Sequence, residues 1–395
     1  MTYEEVLREM DCNKTVTKSG TPIKLLIGGS PCTKWSIAQK NGREVLPEGI
    51  GWELFENYRI AKEKFQPDIF LYENNKSAAQ PIKDAIYSAL GGDRDSSVRL
   101  THIDSALVSA QHRERFYVTN FGDIEQPKDK GILLCDVLET DWTTDQANYY
   151  RFESVVPINT TADGKARTVK AQYHKSGIAN FVTNGGYSAT AVATPIRIGT
   201  IESNVENKSH DSKQYRVYSP DGKATTLCGQ GGEIGAKTGL YAVPVGGKGK
   251  ELPVYEVRDG LITIKDKQYP IELADGYYLI RKLTPLECER LQTLPDGYTS
   301  GVSDTQRYRA IGNGWTAEVI IHILNHALKG VPRDEELVVL SMYDGIATGR
   351  YCLDKMGFTN VKYYAYEIDP YAIKIAMSNY PDIIQCGDAF QIRNF

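Results

Sequence analysis

Cysteine is scarce in this chain and is not arranged in pairs. The 395 residues include seven cysteines, scattered from Cys12 to Cys386, and no Cys-x-x-Cys pair occurs. An odd number of scattered thiols favours neither a disulfide framework nor a zinc site. We therefore expect no metal centre.

Long hydrophobic runs are also missing. No apolar stretch approaches the ~20 residues of a membrane span, and the segment Met1–Val6 lacks the basic and apolar regions of a signal peptide. With 41% hydrophobic and 24% charged residues, the composition is that of an ordinary globular protein. We expect a cytoplasmic protein without a membrane partner, built from roughly two domains.

Positive charge is not in excess, yet it is unevenly distributed. The formal net charge is −4, but between residues 151 and 270 there are 16 Lys and Arg against 11 Asp and Glu. Affinity for phosphates depends on a local basic patch and not on the total charge. This segment could therefore face a nucleic acid, or it could carry surplus lysine on solvated loops.

The first 122 residues alternate between apolar, strand-like runs and helical patterns. This alternation predicts a parallel sheet with helices on its faces. The predicted strands are 24–28, 69–73, 98–103 and 115–120, and the predicted helices are 3–10, 53–65 and 83–90. Later helices are predicted at 284–291, where Thr284 and Glu287 form a capping-box pattern, and at 316–328.

The composition changes after about Thr143 and stays rich in Gly, Thr, Ser, Asn and Tyr to about residue 274. Short runs at 215–218 and 261–264 predict a separate, mostly β domain. We therefore divide the chain into 1–143, 144–275 and 276–395, with the first and last parts forming one α/β domain.

Two similar segments, 163–169 and 221–227, lie in the middle part. Each begins with Asp-Gly-Lys-Ala, in which Asp-Gly is a turn signal. The pair is consistent with two similar hairpins, or with two loops that carry Lys and Thr to phosphates.

A nucleotide-cofactor pattern occupies the last part of the chain. An apolar strand at 336–342 leads into Tyr-Asp-Gly-Ile-Ala-Thr-Gly at 343–349, and the next strand, 361–366, ends at Glu367. Glycines allow a sharp strand-to-helix turn, and the following acid can bind ribose hydroxyls. Asp388 follows a third strand and could reach an adenine amino group. A dinucleotide site is disfavoured, because the turn does not match Gly-x-Gly-x-x-Gly.

Three motifs place reactive side chains at the ends of predicted strands. The first strand runs into Gly-Ser-Pro-Cys, which puts the Cys32 thiol on a tight turn. The second ends at Glu73, so an acid emerges from the same edge of a parallel sheet. In the third motif, strand alternation would send Gln111, Arg113 and Arg115 to one face.

These motifs resemble the Pro-Cys, Glu-Asn-Val and Gln-x-Arg-x-Arg motifs of the DNA cytosine-5 methyltransferases. Segments 343–349, 367–368 and 387–388 resemble the family's S-adenosylmethionine motifs, which normally begin the chain and here end it. Segments 284–296 and 311–314 resemble its last two motifs. Outside the middle part the resemblance covers nearly the whole chain, and it implies a circularly permuted enzyme of bacterial or phage type.

The resemblance implies both a fold and a set of partners. The fold is a Rossmann-like α/β S-adenosylmethionine-dependent methyltransferase domain, with a mixed, mostly parallel sheet and an inserted, mostly β target recognition domain. The implied cofactor is S-adenosylmethionine, and the implied partner is duplex DNA. We expect a monomer on DNA, with a restriction endonuclease as a further partner.

Four residues receive catalytic roles from the resemblance. Cys32 would add to carbon 6 of a cytosine flipped out of the duplex, with Lys34 and the turn lowering the pKa of the thiol. Glu73, protonated through a raised pKa, would hydrogen-bond to ring nitrogen 3. Arg115, with Arg113 beside it, would hold the cytosine carbonyl oxygen.

Two further groups of residues follow from the same resemblance. The residues expected to bind the cofactor are Pro31, Asn313, Gly314, Tyr343, Asp344, Gly345, Ile346, Ala347, Thr348, Gly349, Glu367, Ile368, Asp388 and Ala389. The residues expected to contact DNA are Ser36, Gln111, Lys223 and Thr226.

Four positions depart from the family's motifs, and none removes a chemically required group. They are Thr33, Asn75, Gly314 and Ile368. Two alternatives are kept beside the leading hypothesis. One is cytosine-5 methylation of RNA, and the other is a catalytically silent DNA-binding protein.

Overall fold

The computed structural model describes most of the first and last parts of the chain and portions of the middle part. The described residues are 21–36, 42–139, 156–157, 197–202, 216–218, 220, 222–227, 240–245, 255–264, 267–270, 273–281 and 283–393. The helix predicted at 3–10 and the repeat copy at 163–169 lie outside them. In the described part of the chain, no helix is both long enough and apolar enough to cross a membrane.

A seven-stranded sheet joins the first and last parts of the chain. Its strands are β1 (Ile23–Gly28), β2 (Ile69–Asn75), β3 (Arg99–Asp104), β4 (Glu114–Thr119), β13 (Leu337–Met342), β14 (Val361–Tyr366) and β15 (Ile384–Gly387), numbered together with those of a second sheet. Their order across the sheet is β15-β14-β13-β1-β2-β4-β3. Neighbours from β15 to β2 are parallel, whereas β4 is antiparallel to both β2 and β3. This mixed, mostly parallel sheet confirms the predicted fold class.

Helices cover both faces of this sheet. The α-helices of the described residues are α1 (Gly49–Phe65), α2 (Gln80–Ala89), α3 (Pro285–Leu291), α4 (Asp304–Asn313), α5 (Ala317–Ala327), α6 (Thr348–Lys355) and α7 (Pro370–Asn379). Residues of α1 and α2 share one apolar cluster, and residues of α5, α6 and α7 share another. Strand β13 supplies Val339 to the second cluster and Leu340 to the first, as the two-residue period of a strand requires.

The order of the strands across the sheet differs from their order along the chain. Strand β13, from the last part of the chain, lies directly beside β1, with Leu25 opposite Val339. All six residues of β13 are buried, as expected for a central strand covered on both faces. The cofactor strands predicted at 336–342 and 361–366 therefore complete a sheet that the first part of the chain begins.

A second sheet of eight strands is formed mainly by the middle part. Its strands are β5 (Val156–Pro157), β6 (Arg197–Glu202), β7 (Arg216–Tyr218), β8 (Leu240–Val245), β9 (Tyr255–Arg258), β10 (Leu261–Ile264), β11 (Lys267–Pro270) and β12 (Gly276–Arg281). Only the β7–β8 pair is parallel among the pairings of these strands in the described residues. The sheet includes β12, which begins after the expected boundary at residue 275.

Most predicted elements lie within a few residues of the observed ones. Helix α3 begins at Pro285 with the expected capping box, in which Thr284 accepts from the Glu287 amide and the Glu287 carboxylate accepts from the Thr284 amide. The exception is the third motif, because β4 begins only at Glu114. The residues before it form a loop that does not follow strand alternation.

Candidate active site

Four parallel strands of the central sheet end at one edge. Gly28, at the end of β1, pairs with Tyr72 on one side and with Met342 on the other. Met342 in turn pairs with Tyr366 at the end of β14. The segments that follow these strands carry the predicted reactive and cofactor residues. This edge is the usual position of a ligand in an open α/β sheet.

The turn that carries Cys32 is held by a buried hydrogen-bond network. Cys32 begins a short 3-10 turn, Cys32–Lys34, directly after β1. The hydroxyls of Ser30 and Tyr72 lie 2.7 Å apart, and the Asn74 amide donates to the Ser30 backbone oxygen at 2.9 Å and to the Tyr72 hydroxyl at 3.0 Å. Asn74 therefore braces the thiol's turn, a role that its place in the second motif did not reveal.

Glu73 and Arg115 form an ion pair at the same edge. Arg115 Nε lies 2.9 Å from Glu73 Oε1, and the two side chains are only 9% and 12% exposed. Their strands are antiparallel, with Glu73 opposite Tyr117 and Arg115 opposite Asn75, so the pair is diagonal on one face of the sheet. A methyl group on Gly29 would lie 2.4 Å from the Glu73 backbone oxygen and 2.9 Å from Oε2. The turn of Cys32 thus approaches Glu73 at a distance that only glycine allows.

Trp315 is a site residue that the sequence motifs did not identify. Its indole Nε1 donates to Glu73 Oε2 at 3.1 Å. Both carboxylate oxygens of Glu73 are therefore engaged, one by Arg115 and the other by Trp315. The only sequence signal was the position of Trp315 directly after the Gly-Asn-Gly segment.

Burial raises the pKa of the Cys32 thiol above its usual range. The positive charges of Arg115 and Arg113 act in the opposite direction, whereas the negative charge of Glu73 adds to the rise. The expected lowering of this pKa by Lys34 is therefore not found in the free protein. The direction of this shift favours the thiol over the thiolate.

Arg113 is close enough to Arg115 for their charges to interact, but its hydrogen bonds go to the protein backbone. Its guanidinium is buried and donates to three backbone oxygens, those of Leu227 at 3.2 Å, Gly312 at 3.3 Å and Gly314 at 2.8 Å. Burial, followed by the charge of Arg115, lowers its pKa to about 10. Arg113 thus ties the middle part of the chain and the segment before Trp315 to the catalytic sheet.

Segment 222–227 of the middle part docks on the loop before β4. Gln111 forms a parallel bridge with Ala224, and the His112 amide donates to the Ala224 oxygen at 2.9 Å. Gln111 Oε1 accepts from the Leu227 amide at 3.3 Å, and its side chain is fully buried. The predicted contact of Gln111 with DNA is therefore disfavoured, because its side chain is enclosed by this docking contact.

Lys223 is also enclosed, with 1% of its surface exposed. Its ammonium group donates to the backbone oxygens of Ser109 and Ile132. With its ammonium group engaged in this way, the predicted contact of Lys223 with a phosphate is disfavoured. Thr226 is only partly buried, and its hydroxyl donates to the His112 backbone oxygen at 2.6 Å.

Ser36 follows the Cys32 turn and stays close to it. Its amide donates to the Cys32 backbone oxygen at 3.0 Å, and its hydroxyl is 3.5 Å from the Asn75 amide nitrogen. Residues 37–41 of the adjoining loop lie outside the described residues.

The predicted cofactor turn follows β13 in a tightly bent backbone. Tyr343, Gly345 and Ala347 all adopt left-handed φ angles, between 61° and 65°. Asp344 Oδ1 accepts from the Tyr363 hydroxyl at 2.7 Å, but its buried Oδ2 has no hydrogen-bond partner among the described residues. Burial raises the pKa of Asp344 to about 6. This acid therefore has an acceptor oxygen for which a bound ligand could supply the donor.

Glu367 is fixed by backbone amides at the end of β14. Its Oε1 accepts from Ile368 at 2.7 Å and from Asp369 at 2.8 Å, and its Oε2 accepts from Gly345 at 2.9 Å. These bonds connect the two strand ends and orient the carboxylate. Ile368, directly after it, is 69% exposed and offers an apolar surface at the same edge.

The other predicted cofactor residues differ in exposure. The Tyr343 hydroxyl donates inward to the Leu54 oxygen of α1 at 2.8 Å, and Asp388 Oδ1 accepts from the Phe390 amide at 2.9 Å. Those accessible to solvent are Pro31, Asn313, Gly314 and Asp388, and those buried are Ile346, Ala347, Thr348, Gly349 and Ala389. No group of three or more His, Cys, Asp or Glu side chains in the described part of the chain is arranged to hold a metal ion.

Comparison with known proteins gives consistent matches. A family model described as C-5 cytosine-specific DNA methylase matches residues 2–329. The orphan methyltransferase M.SPRI of Bacillus phage SPR is 24% identical, over 82% of this chain and 87% of that protein. The type II methyltransferase M.HpaII of Haemophilus parainfluenzae is 25% identical, over 79% of this chain and 75% of that protein.

A solved structure of the Entamoeba histolytica methyltransferase EhMeth is also similar. The similarity covers 84% of this chain and 81% of that one, with 11% sequence identity and a TM-score of 0.45. The family match includes Cys32, Glu73 and Arg115 and ends before β13.

Proposed function

The chain belongs to the C-5 cytosine-specific DNA methylase family and is a DNA cytosine-5 methyltransferase, and from this premise we propose that Cys32 bonds covalently to its target base. The observation that supports this proposal most strongly is the arrangement at the sheet edge. The Cys32 turn packs against Glu73, and Glu73 is paired with Arg115 at 2.9 Å.

Residues at the cofactor turn fit S-adenosylmethionine. Asp344 offers a buried oxygen without a partner, which suits a ligand that carries a hydrogen-bond donor. Glu367 and the exposed Ile368 lie at the end of the next strand, where an acid can take ribose hydroxyls. When bound, S-adenosylmethionine supplies an electrophilic methyl group from its sulfonium.

The protein's own residues have separate tasks in the proposed reaction. Carbon 5 of cytosine is a poor nucleophile, so Cys32 gives its proton to solvent water and its Sγ bonds to carbon 6 as the π bond between carbons 5 and 6 opens. The Glu73 carboxyl donates a proton in a hydrogen bond to ring nitrogen 3, where negative charge would otherwise build up. Arg115 orients Glu73 through the ion pair and brings positive charge to the ring. After methylation, loss of the carbon-5 proton and release of Cys32 restore the aromatic ring.

We further propose that the target base is flipped out of duplex DNA, because carbon 6 is inaccessible within a base stack. The eight-stranded sheet, with segment 222–227 docked on the catalytic core, is proposed as the target recognition domain. Ser36 and Thr226, both at least partly exposed, remain proposed DNA contacts. The named relatives include a type II and an orphan methyltransferase, and these names do not decide whether this protein has a restriction endonuclease partner. That partner and the monomeric state stay predictions.

Covalent trapping tests the proposal. Duplex DNA with 5-fluorocytosine at the target should form a stable adduct, because fluorine blocks the final loss of the carbon-5 proton. Peptide mapping should place the adduct on Cys32, and the Cys32→Ser variant should form none while it still binds cofactor and DNA. The exposed Cys135 provides the control, since Cys135→Ser should be trapped normally. An adduct at any other cysteine, or methyl transfer to transfer RNA instead of DNA, would refute the proposal.

A further inference from the structure

We propose that Trp315 is a positioning residue for the carboxylate of Glu73. The inference rests on the function proposed above, because it adds a partner to the acid of that same site. Its starting observation is the 3.1 Å hydrogen bond from the indole Nε1 to Glu73 Oε2. The two residues are 242 positions apart in the chain, so only the folded structure brings them together.

The contact completes the set of donors around Glu73. Arg115 Nε holds Oε1 at 2.9 Å, and Trp315 Nε1 holds Oε2. The terminal torsion of a glutamate side chain is broad and roughly two-fold, so a single donor leaves the carboxyl group free to rock. A donor on each oxygen fixes the plane of the group. Each oxygen still has a second lone-pair site, which can carry the proton that Glu73 donates to ring nitrogen 3.

The indole itself is held from two directions. Its backbone follows Gly314, whose oxygen accepts from Arg113 at 2.8 Å. Its ring packs against the core cluster that contains Ile346 and Ala347 of the cofactor turn. Trp315 is therefore a rigid donor, because both its main chain and its ring are supported.

This support also connects the acid to the cofactor turn. The ring of Trp315 shares its cluster with Ile346, and the Ile346 backbone oxygen accepts from the Tyr298 hydroxyl at 2.9 Å. A residue that acts only by orienting Glu73 should influence the rate of the reaction. It should have little influence on the affinity for either ligand.

Kinetics of Trp315→Phe test this inference. The change removes the N–H donor and keeps an aromatic ring in the cluster. A hydrogen bond to a charged group supports a fall in kcat of about ten- to a hundredfold, with Kd for S-adenosylmethionine and for DNA within about twofold of wild type. In a Glu73→Ala background the same change should alter the single-turnover rate less than about twofold, because the acceptor is gone.

Two kinetic outcomes would overturn the inference. One is a Trp315→Phe enzyme whose kcat is within twofold of wild type. The other is a Trp315→Phe change that lowers the single-turnover rate in the Glu73→Ala background as much as it does in the wild-type background. Neither outcome affects the proposed function, which is judged by methyl transfer and Cys32 trapping in the wild-type protein. Failure of the wild type in those assays would instead refute the proposed function.

A spectroscopic test does not depend on activity or on a Trp315 variant. The chain has four tryptophans, and a second indole–carboxylate bond of 3.1 Å joins Trp35 Nε1 to Glu44 Oε2. In protein labelled with nitrogen-15 at tryptophan, Glu73→Ala should displace one indole N–H resonance and Glu44→Ala a different one. If Glu73→Ala leaves all resonances in place, Trp315 does not hold Glu73 in solution.

Discussion

Lys223 donates from its buried ammonium group to the backbone oxygen of Ser109, 3.0 Å away. The contact joins the middle part of the chain to the catalytic domain, and the Ile132 oxygen accepts from the same group. Burial lowers the pKa of Lys223. This lysine therefore secures the docked segment 222–227 instead of contacting a phosphate.

The Lys223→Ala variant should consequently be less stable than wild type. Its charge contacts with DNA should be unchanged. One buried and one partly buried carbonyl would lose their donor, which costs about 1–3 kcal/mol in the free energy of unfolding. Urea unfolding measures that loss, and DNA titrations at several salt concentrations should give an unchanged salt slope. The exposed Lys128 is the control, since Lys128→Ala should change stability by less than about 0.5 kcal/mol. A slope reduced by one phosphate contact in the Lys223 variant would contradict this assignment.

Arg113 and Arg115 should respond differently to replacement by lysine. Arg113→Lys cannot reach three carbonyls at once, so we expect a loss of about 1–3 kcal/mol in the free energy of unfolding. Arg115→Lys keeps a charge near Glu73 but loses the planar geometry, so kcat should fall by more than tenfold with cofactor affinity retained. Chemical unfolding and steady-state kinetics on both variants check the contrast. The same profile in both would mean that the two arginines share one role.

The brace around Cys32 leads to a further prediction. Asn74→Ala removes the donor to the Ser30 oxygen and the Tyr72 hydroxyl, so the turn should loosen. We expect a fall in kcat together with faster alkylation of Cys32 by iodoacetamide, since the thiol becomes more exposed. Tyr72→Phe removes a single hydroxyl and should give a smaller change of the same kind. Unchanged alkylation in Asn74→Ala would mean that the network does not hold the turn.

Asp344 should make stability depend on pH. Its pKa is raised to about 6 in the folded protein, above the ordinary value of 3.8, so the folded state binds more protons between these values. Stability should therefore fall as the pH rises from about 4 to above 6, by up to about 3 kcal/mol. Asp344→Asn should remove this component, and urea unfolding at pH 4.5 and 7.5 would reveal it. An equal pH dependence in wild type and variant would exclude Asp344 as its source.

The association of Cys32, Glu73 and Arg115 could be predicted from the sequence because it depends on simple sheet geometry. Two parallel strands end at the same edge, and each carries its reactive residue at or just after its last apolar position. The position of the turn at 343–349 could be predicted for the same reason, since β13 is almost entirely apolar and the last four residues of β14 are buried. These patterns are local, so they can be recognised in a sequence without knowledge of how the chain packs.

The roles of Arg113, Lys223 and Trp315 could not be predicted in this way. Strand alternation predicts Arg113 on the same face as Arg115, but β4 begins at Glu114 and the hydrogen bonds of Arg113 go to backbone oxygens of other segments. The partners of Lys223 are backbone oxygens, which leave no signal in a sequence. Trp315 reaches Glu73 only after the last part of the chain has packed on the first.

The pairing of β1 with β13 also determines the order in which the protein can be built. A ribosome delivers β1 and β2 roughly three hundred residues before β13, so the nascent chain carries its innermost strand with one side unpaired. Such an edge can recruit neighbouring chains, and contacts of such long sequence separation form slowly. The catalytic half must therefore wait for the cofactor half to be translated, a period in which a molecular chaperone would have most to protect.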